Sequence, residues 1–241
     1  MIVLLTDFGQ SEYVGAMKGV ISNVNRDAQI VDLCHDIAPQ CIIEAAWILK
    51  NNVKYFPKGT TFCCVVDPGV GTDRKALAVN TSDYHFVAPD NGLLWETLRD
   101  QSGCQIRELP IPENASKTFH GRDVFAKAAA HVDAGRFAEQ GPNVTEIEKL
   151  DLSPDGRKGM VVRIDRFGNV ITNLPRLSKT AYRVEMVDKS LWLNFYPTYG
   201  SAEENDLFLI EGSCNTLEIS LKNASAQDKL KVKPGTLVVI S

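Results

Sequence analysis

Two aspartates stand where an α/β protein does its chemistry. Asp7 follows an apolar run in Leu4-Leu5-Thr6-Asp7-Phe8-Gly9, and Asp67 closes another in Val65-Val66-Asp67-Pro68-Gly69-Val70-Gly71. Ligands of open α/β sheets bind beyond the carboxyl ends of the strands. A carboxylate there suits a ribose diol, because it can accept one hydrogen bond from each hydroxyl. Either residue is equally at home as an ordinary turn aspartate, since Asp, Pro and Gly are common loop formers. Arg74, in Thr72-Asp73-Arg74-Lys75, reads on its own as a solvated loop charge. His120 lies in Thr118-Phe119-His120-Gly121-Arg122-Asp123, just ahead of the strongest helical stripe in the chain. A loop histidine that the fold sets beside an Asp and an Arg can act as a general base.

Farther along, Asp165-Arg166-Phe167-Gly168-Asn169 joins two strand-like segments. It offers an anion, an aromatic face and an amide, a set that can hold a planar heterocycle and an amine. It is equally a hairpin turn with Gly-Asn at its tip, and spacing alone leaves both readings open. The remaining histidines, His35, His85 and His131, have no metal-type spacing to His120 or to one another. His131 falls within a helix, where a structural role is expected. Phosphate-binding signatures are missing: there is neither GxxxxGKS/T nor a GxGxxG after the first strand, which disfavours pyrophosphate cofactors.

The elements that must carry these residues change character along the chain. Up to about residue 140, strand and helix patterns alternate. Strands are expected at residues 2–5, 29–33 and 61–66, a hairpin pair at 77–79 and 84–88, and helices at 12–25, 42–53 and 122–137. Such alternation implies a mostly parallel sheet covered on both faces. Residues 140–159, rich in Gly, Pro, Asp and Glu, read as a linker. Beyond it, short β-like segments at 160–164, 170–172, 183–187, 207–210, 216–220 and 236–240 read as a small antiparallel barrel or sandwich. The expectation is therefore an α/β domain over residues 1–145 and a small all-β, barrel-like domain over 158–241.

Composition narrows the function classes. The 241 residues carry 26 basic and 30 acidic side chains, for a net charge of −4, with 44% hydrophobic and 23% charged residues. That is an ordinary globular balance and no footprint for nucleic acid. No apolar run approaches the roughly 18 residues of a membrane helix, and the first residues lack a basic, signal-peptide start. A cytoplasmic protein is expected. Cys34, Cys41, Cys63, Cys64, Cys104 and Cys214 form no CxxC pair and read as reduced structural thiols.

Five motifs occur together in one order: Thr6-Asp7-Phe8-Gly9, Val66-Asp67-Pro68-Gly69-Val70-Gly71-Thr72, Ala88-Pro89-Asp90-Asn91-Gly92, Thr118-Phe119-His120-Gly121-Arg122-Asp123 and Asp165-Arg166-Phe167-Gly168-Asn169. In this the chain resembles, nearly end to end, the S-adenosyl-L-methionine hydroxide adenosyltransferases, relatives of fluorinase and chlorinase. The resemblance implies attack of water or hydroxide on C5′ of S-adenosylmethionine, giving adenosine and L-methionine, with no metal and no cofactor. It implies that Asp67, Arg74 and His120 handle the water and that Asp7 binds the ribose. Adenine and methionine contacts would fall on Asp165, Phe167, Asn169 and Ser213, with main-chain groups near Asn223 and Ala224 meeting adenine. It also implies a homotrimer whose site lies between the N-terminal domain of one subunit and the C-terminal domain of its neighbour.

Three other readings compete. A halide-using relative would make a 5′-halo-5′-deoxyadenosine. Arg74 and His120 side with water against it, as does the absence of the halogenases' extra N-terminal loop. A non-catalytic adenosine or S-adenosylmethionine binder would have no need of Arg74 and His120. A metal-dependent hydrolase would draw on Asp7, Asp67, Asp90 and His120.

Overall fold

The computed structural model describes all 241 residues, which divide into two compact units, Met1–Asp151 and Leu152–Ser241. The first runs β1 (Ile2–Thr6), α1 (Glu12–Val24), β2 (Ile30–Cys34), α2 (Ile42–Asn52), β3 (Thr61–Val65), β4 (Ala76–Asn80), β5 (His85–Pro89), α3 (Trp95–Leu98), β6 (Gln105–Glu108) and α4 (Ala126–Asp133). Its six strands lie in the order β2-β1-β3-β5-β4-β6. Strands β2, β1, β3 and β5 run parallel, while β4 is antiparallel to β5 and β6.

The unbroken apolar runs of β1 and β3 follow from burial on both faces. Ile2, Leu4, Cys63 and Val65 join one core with residues of α1 and α4. Val3, Leu5, Phe62 and Cys64 join the other, with residues of α2. Every β1 and β3 side chain is buried, which is what a central parallel strand requires. Burial also pushes the Cys63 thiol up to about 12, so it behaves as a small hydrophobe.

The second unit holds β7 (Lys158–Ile164), β8 (Val170–Pro175), β9 (Ala181–Met186), β10 (Lys189–Asn194), β11 (Leu207–Glu211), β12 (Thr216–Leu221), α5 (Ala226–Leu230) and β13 (Leu237–Ile240). The order is β10-β9-β13-β7-β8-β12-β11, and every paired ladder is antiparallel. A bridge from Phe195 to Leu209, backed by the Tyr196 amide donating to the Leu209 carbonyl at 2.9 Å, links the two edge strands into a nearly closed barrel. Closure removes the edges on which another chain could pair. The α/β-plus-barrel class expected from the sequence is the one observed. No helix is long and apolar enough to cross a membrane.

Two local expectations need correction, and some observed elements have no counterpart among those expected. Residues 140–151 are no free linker: the Glu108 amide donates to Pro142, Val144 donates to Ile106, and Val144 and Ile147 pack on the α2-side core. The open edge of β6 and two apolar side chains outweigh a composition that reads as loop. The helix expected at 122–137 opens as a π-helical turn, Gly121–Phe125, and its α-helical part ends at Asp133. Phe137 sits instead in a separate 3-10 turn. Finally, β10 and α5 carry no clear mark in the sequence pattern. The β9–β10 hairpin turns at Val187-Asp188 with Val187 at φ 50°, a left-handed conformation a Val-Asp pair does not advertise.

Candidate active site

Strands β1 and β3 are neighbours in parallel register, with Thr6 opposite Val65, so their carboxyl ends deliver Asp7 and Asp67 to the same edge of the sheet. The loop after β3 then folds back on itself. The Val70 amide donates to the Asp67 carbonyl, and Thr72 donates through both its amide and its hydroxyl to Gly69. From the next strand's end, the Asn91 side chain donates to the Val66 carbonyl at 2.9 Å. Gly71 has φ 77°, and a Cβ there would lie 2.4 Å from the Lys117 carbonyl oxygen. Only glycine allows that conformation together with so close an approach to the segment before His120.

This folded loop turns Arg74 inward. Its Nε donates to Asp67 Oδ1 at 2.9 Å and its Nη2 to Oδ2, a bidentate pair with side chains 10% and 6% exposed. The same Nη2 meets His120 Nδ1 at 3.0 Å, and the guanidinium lies 5.2 Å from the centre of the Phe125 ring. Arg74 Nη1 is buried with no hydrogen-bond partner. The solvated loop charge read from Arg74 in isolation is thus overturned by its bidentate ion pair.

His120 precedes the π-helical turn, a rare element frequent at functional sites. It is 4% exposed. Burial, then the neighbouring Arg74 charge, holds its pKa below the ordinary 6.5, against the pull of Asp67 and Asp123. Guanidinium has no acceptor, so Nδ1 must accept from Arg74 and the neutral ring carries its proton on Nε2.

Asp7, Asp67 and His120 line one pocket of about 310 Å³ together with Phe8, Tyr13 and Phe119. The three aromatic rings pack edge to face, centroids 4.9 to 5.9 Å apart. Asp7 Oδ2 accepts from the Gln40 amide at 2.7 Å, and Gln40 is held at φ 63°, uncommon for a residue with a side chain. Asp90, by contrast, accepts from the Glu148 amide. No three His, Cys, Asp or Glu side chains converge as metal ligands.

The second unit has a larger pocket, about 700 Å³, lined by Asp165, Phe167, Asn169, Tyr199, Asn223 and Ala224, among others. The hairpin-turn reading of the Asp165 motif is the one its hydrogen bonds bear out. Asp165 accepts from the Phe167 amide, the Asn169 amide and Asn169 Nδ2, all within 2.9 Å, and so builds its own hairpin turn. That turn presents Phe167, strongly exposed, to the pocket. Gly168 has φ 80°, and a Cβ there would collide with Ser225, the residue that caps α5 by accepting from Asp228. Ser213 stands apart, in the exposed turn between β11 and β12 and outside this pocket.

Among the pocket residues missing from the sequence-based set are Phe8, Tyr13, Phe119 and Gln40 in the first pocket and Tyr199 in the second. Tyr199 opens a 3-10 turn capped reciprocally by Thr198 and Ser201, so the Thr-x-x-Ser spacing is a signal open to reading. Gln40 acts through its backbone amide and leaves no mark in residue type.

The SAM hydroxide adenosyltransferase N-terminal domain model matches residues 2–141, and the C-terminal domain model matches residues 159–239. The chain is 37% identical to a protein of Methanocaldococcus jannaschii named (R)-S-adenosyl-L-methionine hydrolase, over 93% of this chain and 90% of that one. It is 35% identical to the Thermus thermophilus protein of the same name, over 97% and 96%. A fluorinase from Actinopolyspora mzabensis is 27% identical over 73% and 72%. The crystal structure of an uncharacterized conserved protein from Thermotoga maritima superposes with a TM-score of 0.90 at 35% identity, covering both chains fully.

Proposed function

The chain belongs to the SAM hydroxide adenosyltransferase family, and on that premise we propose that it hydrolyses S-adenosyl-L-methionine to adenosine and L-methionine. One observation carries the reading at atomic level: the Asp67–Arg74–His120 trio, in which Arg74 bonds to both partners while Asp67 and His120 line a pocket of about 310 Å³. The substrate's leaving group is a neutral thioether departing from a sulfonium, so no acid is needed to protonate it. The difficulty lies in the nucleophile, because water is weak and hydroxide scarce at neutral pH.

The trio answers that need. Arg74 supplies positive charge and an uncommitted Nη1 donor that stabilise oxygen as it gains hydroxide character. His120, neutral with its proton on Nε2, donates to the same oxygen and orients it. Asp67 takes the proton, since a carboxylate has lone pairs beyond the two that Arg74 engages. The O–C5′ bond forms as the C5′–S bond breaks, its electron pair staying on sulfur as methionine leaves. Holding the water in line contributes an orientation effect that reaches about 7–11 kcal/mol in favourable cases.

Asp7 takes the ribose hydroxyls, and the Asp165, Phe167 and Asn169 pocket takes adenine and the methionine amine. Asn223 and Ala224 border that pocket through their main chain, while Ser213 contributes from outside its present lining. The working assembly is a homotrimer in which each site draws on two subunits, and the setting is the cytoplasm.

Incubating the purified protein with S-adenosylmethionine and quantifying adenosine and methionine by mass spectrometry tests the reading, with chloride and fluoride added in parallel. Adenosine in equal yield with and without halide is the expected result. A 5′-halo-5′-deoxyadenosine product would favour the halogenase reading, and binding without turnover would favour the non-catalytic one.

A further inference from the structure

Strand β12 carries a carboxylate that barrel packing does not call for. Its neighbours in sequence, Leu217 and Ile219, belong to the barrel core, whereas Glu218 points the other way, opposite Ile210 on β11 and Ile171 on β8. Glu218 is only 7% exposed. A buried carboxyl among isoleucines is costly unless it is hydrogen-bonded to some purpose. The structure even makes room for it: a Cβ at Gly212 would fall 1.7 Å from Glu218 Oε1.

The partner of Glu218 is Tyr199, whose hydroxyl donates to Oε2 at 2.9 Å. The Tyr199 ring also meets Phe208 edge to face, with centroids 6.2 Å apart and planes at 77°. Two contacts at different points on one ring leave it little freedom to swing. That ring borders the pocket of Asp165, Phe167 and Asn169, whereas Glu218 does not. We propose that Glu218 is a positioning residue for this pocket, holding the Tyr199 ring as a fixed wall against which a flat heterocycle packs. Burial and the Glu218 charge push the Tyr199 hydroxyl up to about 12, while burial raises the Glu218 carboxyl against the downward pull of the Tyr199 bond. Asp165 pushes both upward and Arg163 draws Glu218 back. The inference rests on the second unit's pocket receiving the adenosyl part of the ligand.

Glu218→Ala, Tyr199→Phe, the double variant and Glu218→Gln test it, read by calorimetric adenosine affinity and by KM and kcat for S-adenosylmethionine. Each of the first two weakens adenosine binding and raises KM about 10-fold, the loss of one hydrogen bond to a charged group, with kcat within about threefold of wild type. The double variant loses no more than either single one, because both remove the same bond. Glu218→Gln, whose amide oxygen still accepts from the hydroxyl, restores KM to within about threefold of wild type. Losses that multiply to about 100-fold in the double variant would overturn the proposal, as would unchanged affinity in Glu218→Ala. Should Glu218→Ala not fold, Tyr199→Phe against Glu218→Gln makes the same comparison. Wild-type protein that binds adenosine without hydrolysing S-adenosylmethionine would sink the proposed reaction, and the affinity comparison would still decide the role of Glu218. Wild-type protein that does not bind adenosine would overturn both.

Discussion

Replacing Arg74 with lysine separates charge from geometry in the trio. Lysine keeps the positive charge but is a point donor on a flexible stem, and it cannot reproduce the fork that engages both Asp67 oxygens and His120 Nδ1 together. Two effects follow, and their sizes come from different parts of the structure. The first is on stability. Asp67 and Arg74 are 6% and 10% exposed, so breaking their match leaves a largely buried carboxylate poorly compensated. Complete loss of a partner in such a pair costs about 3–5 kcal/mol. Arg74→Ala should approach the lower figure, because Asp67 borders an open pocket that admits water. At about 2–4 °C per kcal/mol, that is a fall in Tm on the order of 10 °C, with Arg74→Lys falling less.

The second effect is on rate. Losing one preorganised donor to a developing oxyanion costs about 10²–10³-fold in kcat, and Arg74→Lys should fall in that range because His120 also loses the bond that fixes its tautomer. The assay is adenosine release under saturating S-adenosylmethionine, run beside thermal melting. The Asp67→Ala, Arg74→Ala double variant is the control: it removes the uncompensated charge, so it should recover part of the lost stability while remaining inactive. Arg74→Lys with kcat within about threefold of wild type would refute the proposed role of the fork, and a double variant less stable than Arg74→Ala would refute the buried-charge reasoning.

Two further outcomes follow from the same site. Because His120 is held below the ordinary 6.5 by burial and by Arg74, kcat/KM should stay level from neutral pH down past 6.5 and fall only below it, once the ring protonates and Nδ1 can no longer accept from Arg74. A profile already falling through pH 7, or one unchanged in His120→Gln, would count against the assignment. Stability has the same sign: the unfolded chain binds protons near 6.5 before the native protein does, so stability drops as pH falls below 6.5, with the half-buried His85 and His131, also shifted down, contributing in the same direction. Asp7→Asn keeps an acceptor for the Gln40 amide but loses the charge offered to a ribose diol, so adenosine affinity measured by calorimetry should fall about 10–100-fold. Unchanged affinity would remove Asp7 from the ribose site.

Much of this arrangement is legible in the order of the residues, for reasons that vary by position. Asp7 and Asp67 are visible because a buried parallel strand writes itself as an unbroken apolar run, and the first polar residue after it marks the ligand edge of the sheet. Asp165 is visible because a hairpin turn needs Gly and Asn at fixed offsets. Arg74 is not legible on its own. Its inward turn depends on Gly71 and on the approach of Lys117, a contact between segments far apart in sequence. Glu218 is hidden for a different cause: a single acid in Thr-Leu-Glu-Ile-Ser reads as the solvent face of a strand, and nothing local reveals that Tyr199 covers it. The segment at 140–151 misleads because Gly, Pro and acidic residues signal a loop by composition, whereas its backbone bonds to the β6 edge do not depend on side-chain type.

The charge balance inside the trio bears directly on the proposed reaction. The substrate carries a sulfonium cation that disappears as the C5′–S bond breaks, and the attacking hydroxide loses its charge in the same step. A site that bound the cation strongly at the reacting centre would stabilise the ground state more than the transition state and slow the chemistry. Asp67 stands at that centre, and a bare buried carboxylate would do just that. Pairing it with Arg74 and keeping His120 uncharged leaves the trio close to neutral, with positive charge facing the oxygen rather than negative charge facing the sulfonium. On the proposed reading, Asp7 is left to the ribose and Asp165 to the methionine amine, and neither is ion-paired to a basic side chain. On this argument the overall charge of −4 is incidental. What matters is that the one acid at the reacting centre is neutralised and the acids at the binding positions are not, and Asp67→Asn should therefore lower kcat far more than it changes substrate affinity.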